Sequence, residues 1–327
     1  MCRICTEPVE SLLEATHLNC SGCAGLVAIP SELTRLQSLD CSRCPLLVTI
    51  PVELVSLARL TCSYCPVLAS IPSTLERLIY LDCVYCPVLA SIPSTLVNLV
   101  TVYCGGCRAL ASIPDTLVRL TRLHCSGCRR LVFIPGTLVR LRELVCSGCS
   151  RLASIPGTLI HLRELNCAEC HVLASIPGTL ADLVYLDCSY CPRLASIPST
   201  LVHLAVLYCY YCPLLLSIPG TFVCLTYLSC YSCPRLASIP SDVDRVLCYD
   251  CPWLSQNAAA YPTHIPSLLR LQRWFRRGRK QVFKRVLRTR AFNEFVFHPD
   301  RIGGKLVKRQ MEAELGAMRP AKQQRTE

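Results

Sequence analysis

Cysteine is the residue through which this chain would do chemistry, if it does any. There are 27, and most fall in Cys-x-x-Cys pairs that recur along the chain, from Cys20 and Cys23 through Cys41 and Cys44 to Cys248 and Cys251. One pair followed by another after 17 residues, as Cys20, Cys23, Cys41 and Cys44 are, has the spacing of a four-thiolate zinc site. Pairing between successive pairs would instead give stacked disulfides. A third reading is a protonated thiol buried as a small hydrophobe. The pairs recur in phase with leucines, which favours this third reading, since ligation needs ionised thiolates in an otherwise apolar interior. The opening Met1-Cys2-Arg3-Ile4-Cys5 lacks the basic-then-apolar pattern of a secretory signal. With an odd cysteine total, an intracellular, reducing, cytoplasmic setting and free thiols are expected. Neither a metal nor a cofactor is expected. Cys224 alone stands outside the pairs and is the candidate reactive thiol, although a plain surface substitution accounts for it better, as no basic cluster adjoins it.

Tyrosine is the second signal. In phase with the cysteines, exposed strand-side slots hold Tyr64, Tyr80, Tyr85 and Tyr103 in one group and Tyr185, Tyr190, Tyr208, Tyr210, Tyr211, Tyr227, Tyr231 and Tyr249 in another. Tyrosine buries a large apolar area while keeping a polar tip, so such a face suits a protein partner. Plain strand propensity and ladder stacking are the competing explanation. Between the groups lie Arg122, His124, Glu143, Glu164, Asn166 and Glu169, a charged middle that could set specificity. The histidines are scattered over different slots and do not assemble a nucleophile, base and carboxylate, so no enzyme activity is expected.

The elements that must position these residues follow from one repeated unit. An Ile-Pro step recurs from Ile29-Pro30 to Ile239-Pro240, always 21 residues apart. The full register reads Leu36-x-x-Leu39-x-Cys41-x-x-Cys44-x-x-Leu47-x-x-Ile50-Pro51-x-x-Leu54. It resembles the leucine-rich repeat, with Cys41 in the third leucine slot and Cys44 in the Asn/Cys slot. The resemblance implies an α/β repeat solenoid: a parallel sheet on the concave side, one strand per unit around residues such as Ser38-Leu39-Asp40, and an irregular convex side. No unit can bury its own Leu, Ile and Cys, so stacking must build the core. Proline after isoleucine denies the return segment a helix. Residues 1–19 read as an atypical N-terminal cap, in which Cys2 lies 18 residues before Cys20 and Ser11-Leu12-Leu13-Glu14-Ala15 looks helical. Residues 20–254 are the solenoid and 255–263 a linker.

Residues 264–327 form a basic tail with 17 Lys plus Arg against 5 acids, whereas residues 1–263 balance 17 Arg with 17 acids. A helical tail is expected, with Arg273, Arg276, Arg277, Arg279, Lys280, Lys284 and Arg285 as its cationic face. That face admits docking on the array, contact with nucleic acid or an anionic surface, or nuclear targeting. The stretch from Phe292 to Lys305 is similar to closing segments of proteins from large DNA viruses of amoebae. No apolar run reaches the roughly 18 residues of a membrane span. The expected function is that of an interaction scaffold whose tyrosine-rich concave face binds a protein partner. The alternatives are a nucleic-acid or anionic-surface binder acting through the tail, and a metal-binding cysteine array.

Overall fold

The computed structural model describes residues 2–240, 243–248, 250 and 251. The linker, the basic tail with Arg273 to Arg285, and the Phe292 to Lys305 stretch lie outside the described residues. No helix among the described residues is long and apolar enough to cross a membrane.

Twelve three-residue strands form one parallel sheet whose spatial order is the chain order: β1 (His17–Asn19), β2 (Ser38–Asp40), β3 (Arg59–Thr61), β4 (Tyr80–Asp82), β5 (Thr101–Tyr103), β6 (Arg122–His124), β7 (Glu143–Val145), β8 (Glu164–Asn166), β9 (Tyr185–Asp187), β10 (Val206–Tyr208), β11 (Tyr227–Ser229) and β12 (Arg245–Leu247). Equivalent residues pair, Leu39 with Leu60 and Leu60 with Leu81. The leucine register therefore locates both the strands and their partners. From β1 to β11 the central residue is buried, and from β1 to β7 its neighbours are half-buried or exposed, because strand side chains alternate. Leu39 is 1 % exposed between half-buried Ser38 and Asp40.

One coil shows how the core is filled. Leu54, Leu57, Leu60, Cys62, Cys65, Leu68 and Ile71 are all buried, and the same seven slots recur through the array in one continuous cluster. A coil alone would leave these side chains in water, each forfeiting about 1.5–3 kcal/mol for the larger ones. The return side has turns and extended segments and no helix among the described residues, as the Ile-Pro step dictates. A threonine ladder stitches it: Thr116 Oγ1 donates to Ser94 O at 2.6 Å, Thr137 to Asp115 O at 2.6 Å and Thr158 to Gly136 O at 2.6 Å.

The N-terminus departs from the repeat. A short helix, α1 (Arg3–Thr6), precedes a 3-10 turn (Val9–Leu12) that buries Leu12. The helix-like segment expected near Ser11 thus begins at Val9. β1 falls before residue 20 and pairs in register with β2, so the sheet reaches into the stretch read as a cap.

Candidate functional site

From Cys20 onward, every Cys-x-x-Cys segment is the same turn. The residue before the second cysteine adopts a left-handed backbone, with φ from 55° at Tyr190 to 75° at Gly106. This aims its N–H along the stack: Tyr64 donates to Val84 O at 2.7 Å, Tyr85 to Gly105 O at 2.7 Å and Tyr190 to Tyr210 O at 2.9 Å. An Asn or Asp ending the strand braces the turn from its side chain. Asn19 Oδ1 accepts from Ser21 N–H at 2.9 Å, Asp40 from Ser42 at 3.0 Å and Asp187 from Ser189 at 3.0 Å. The second cysteine then donates its thiol to the carbonyl of the first cysteine one coil back. Cys44 reaches Cys20 O at 3.2 Å, Cys107 reaches Cys83 O at 3.1 Å and Cys233 reaches Cys209 O at 3.1 Å.

A thiolate has no proton to donate, so this ladder belongs to protonated cysteines. Burial pushes up the donor thiols of Cys44, Cys65 and Cys233, Cys65 to about 11 and Cys233 to about 12. All described cysteines are free thiols, and Cys224 is exposed, as its slot required. Inside the array the sulfurs are thus engaged as core atoms and hydrogen-bond donors.

The tyrosines gather into two groups. In the first, Tyr64 and Tyr85 stack at 5.0 Å from successive left-handed positions. On the strands beside them a chain of contacts crosses the sheet: the Arg59 guanidinium lies 3.6 Å over Tyr80, Tyr80 meets Tyr103 at 5.8 Å, and Tyr103 meets the His124 ring edge-on at 4.6 Å. His124 Nε2 is 2.5 Å from Glu143, whose other oxygen is 3.3 Å from Arg122 Nε. Tyr80 and Tyr103 of the first group and the charged middle are therefore one connected surface. The pairing of His124 with Glu143 is a contact that scattered histidines in the sequence did not suggest. It follows from neighbouring strands in register.

In the second group, Tyr185, Tyr208 and Tyr227 run along β9 to β11 with centroids 5.8 and 5.1 Å apart. In the adjoining turns Tyr190 stacks on Tyr211 at 4.7 Å and Tyr210 on Tyr231 at 4.4 Å. Exposure departs from expectation here. Tyr208 is 9 % and Tyr231 6 % exposed, because each is covered by the aromatic rings around it. Asn166 is also buried and accepts from Ala168 N–H at 3.2 Å. Tyr249 lies outside the described residues. The Tyr185 hydroxyl is buried with no hydrogen-bond partner, and burial raises its pKa. Below these rings Asp187 is buried, which pushes its carboxyl up to about 6.

Glu164 and Glu169 are exposed, Glu169 at a left-handed turn position. A groove of about 620 Å³ joins Arg122, Glu143 and Glu164 to Arg140, Arg142, Arg163, His161 and Asp182. The three added arginines and His161 with Asp182 were not singled out from the sequence. Their positions in successive coils bring them together, and only the 21-residue spacing of Arg140, His161 and Asp182 would have signalled it.

The one group of possible metal ligands among the described residues lies at the N-terminus, where the sulfurs of Cys2, Cys5 and Cys23 lie within 4.8 Å of one another. Burial opposes ionisation of Cys23, but the Cys2 N–H and the thiols of Cys2 and Cys5 outweigh it, bringing Cys23 down to about 7.

Comparison with known proteins gives a consistent architecture. The leucine-rich repeat family model matches residues 35–57. No curated protein matches the chain. Among solved structures, the functional domain of InlJ from Listeria monocytogenes, which includes a cysteine ladder, has a TM-score of 0.51 at 21% identity, covering 72% of this chain and 64% of that one. The leucine-rich repeat domain of the type III effector XopL has a TM-score of 0.49 at 22% identity, covering 62% and 79%. The leucine-rich effector protein YopM from Yersinia pestis has a TM-score of 0.35 at 17% identity, covering 72% and 89%. At 21% identity the likeness to InlJ is one of fold alone, a parallel leucine-rich repeat solenoid.

Proposed function

We propose that the protein is a non-enzymatic interaction scaffold that binds a protein partner on the tyrosine-rich concave face of its leucine-rich repeat solenoid. The observation that carries this reading is where the tyrosines sit. Tyr64, Tyr85, Tyr190 and Tyr211 occupy left-handed backbone positions that Gly22, Gly106, Gly127 and Gly148 fill in other coils. A bulky side chain there costs about 1–2 kcal/mol over glycine. Stacking returns about 0.5–1.5 kcal/mol per pair, so stability alone gives tyrosine little advantage at these slots. Exposed or half-exposed, pre-stacked rings have instead the composition of a protein-binding hot spot.

The test exploits that balance. Tyr64→Gly, Tyr85→Gly, Tyr190→Gly and Tyr211→Gly are expected to leave the thermal midpoint within a few degrees while weakening partner capture from native cell extract roughly tenfold or more. Undiminished capture with all four changed would sink the proposal. The thiol ladder functions only when reduced, which supports an intracellular setting.

Charge segregation supports a second role for the tail, contact with nucleic acid or an anionic surface through Arg273, Arg276, Arg277, Arg279, Lys280, Lys284 and Arg285. Phosphate contact predicts affinity that falls steeply with salt and disappears when residues 264–327 are deleted. A flat salt profile would remove this reading.

A further inference from the structure

The thiol ladder has to end, and it ends in a change of polarity. From Cys44 onward each second cysteine donates to a carbonyl one coil back, but Cys23 belongs to the first coil and has no earlier one. Its sulfur instead accepts. Cys2 N–H points at Cys23 Sγ from 3.4 Å.

We propose that Cys2, Cys5, Cys20 and Cys23 form a zinc site that fastens the N-terminal cap to the first coil. Three of the four sulfurs are already spaced for it. Four thiolates at about 2.3 Å from a tetrahedral zinc stand about 3.8 Å apart; Cys2 and Cys5 are 3.8 Å apart and Cys5 and Cys23 3.5 Å. Only the sulfurs of Cys2, Cys5 and Cys23 lie within 4.8 Å of one another; the buried Cys20 stands outside that group and has to move in as the fourth donor. The two Cys-x-x-Cys pairs here are separated by 14 residues, a loop length common to zinc ribbons and fingers. Cys5 is exposed and Cys2 half-buried, so an ion has a way in.

The cap also needs such a fastening. α1 buries none of its residues, and a four-residue helix has no stability of its own. Loading replaces four S–H bonds by four Zn–S bonds, releases four protons to solvent and leaves a site of net charge −2. No electron is transferred and no oxidant is required. Soft thiolate donors in a tetrahedron select zinc over the hard cations magnesium and calcium.

The experiment uses the full-length reduced protein, exposed to zinc sulfate, passed over a desalting column and measured by elemental analysis, with cobalt(II) as a spectroscopic substitute. About one zinc per chain is expected, together with the visible absorption of tetrahedral cobalt thiolate. Both should vanish in Cys2→Ser/Cys5→Ser, which removes surface ligands and leaves the core sulfurs in place. The control Cys224→Ser should retain both. A metal-free wild type with its thiols intact would overturn the proposal. So would zinc that survives Cys2→Ser/Cys5→Ser, or a cap disulfide detected by mass in freshly isolated protein.

Discussion

The two ends of the array carry the same cysteine spacing and build different things with it. Cys2, Cys5, Cys20 and Cys23 are spaced like Cys230, Cys233, Cys248 and Cys251: two Cys-x-x-Cys pairs, 18 residues from one first cysteine to the next. At the C-terminal end the later pair follows a strand, β12, and joins the ladder. Cys251 donates to Cys230 O at 3.2 Å, and all four sulfurs are buried. At the N-terminal end the extra pair comes before the first strand. It sits at α1, partly in solvent, with its sulfurs against Cys23 rather than on a carbonyl. Spacing alone therefore does not make a metal site. What matters is whether the pair arrives after a strand, where the stack offers a carbonyl, or before one, where it does not.

The largest effect that would break this comparison is the response to metal. Hydrogen exchange on the zinc-loaded and chelated protein should show protection at α1 and β1 falling about a thousandfold when free zinc had stood a thousand times above its Kd. β11 and β12 should be unchanged. Equal loss at both ends, or at neither, would show the two ends to be equivalent after all.

A second pair of equivalent positions differs in the same way. Asp40 and Asp187 each end a strand and accept the N–H two residues on, but Asp40 is half-buried and Asp187 lies under the second tyrosine group at 1 % exposure. Burial raises the Asp187 carboxyl from 3.8 to about 6. A raised acid pKa favours the protonated form in the folded state, so its stabilising contribution is complete below about pH 4 and is lost as pH rises through about 6. The loss amounts to up to about 3 kcal/mol at neutral pH. Asp187→Asn should recover it, because Asn19 and Asn166 make the same bond from the same slot. Denaturant melts between pH 4 and 8 should show a falling stability in the wild type that flattens in Asp187→Asn and persists in Asp40→Asn.

Most of the fold was legible because it is periodic. Leu39, Cys41, Cys44 and Ile50 recur at one interval, and one interval determines strand, partner and core slot together. The tyrosine groups were legible for the same reason. What the register did not show is what covers a slot. Tyr208 and Tyr231 stand where exposed residues were expected, yet ring stacking from neighbouring coils closes over them. Arg140, Arg142 and Arg163 entered the central groove through neighbouring coils. The Cys2 and Cys5 cluster was hidden by its likeness to the repeat, since its distinct chemistry comes from lacking a coil to donate to.

The smallest effect concerns two glycines of the left-handed turn. Gly106 and Gly127 have φ of 75° and 69°, but a methyl group on Gly106 would meet the Tyr85 ring at 2.7 Å, whereas on Gly127 nothing lies closer than 3.8 Å. Gly127→Ala should therefore cost only the left-handed penalty, about 1 kcal/mol. Gly106→Ala should cost that and also displace Tyr85 from its stack on Tyr64. Because Tyr85 is half exposed, its ring can swing into solvent, which keeps the added cost near 1 kcal/mol. Placing Tyr85→Gly in the background removes the ring, so the two alanine variants should then cost the same. A difference that persisted without the ring would mean the backbone of that coil, and not the aromatic ladder above it, demands glycine at 106, and would weaken the case that the exposed tyrosines are arranged as a surface.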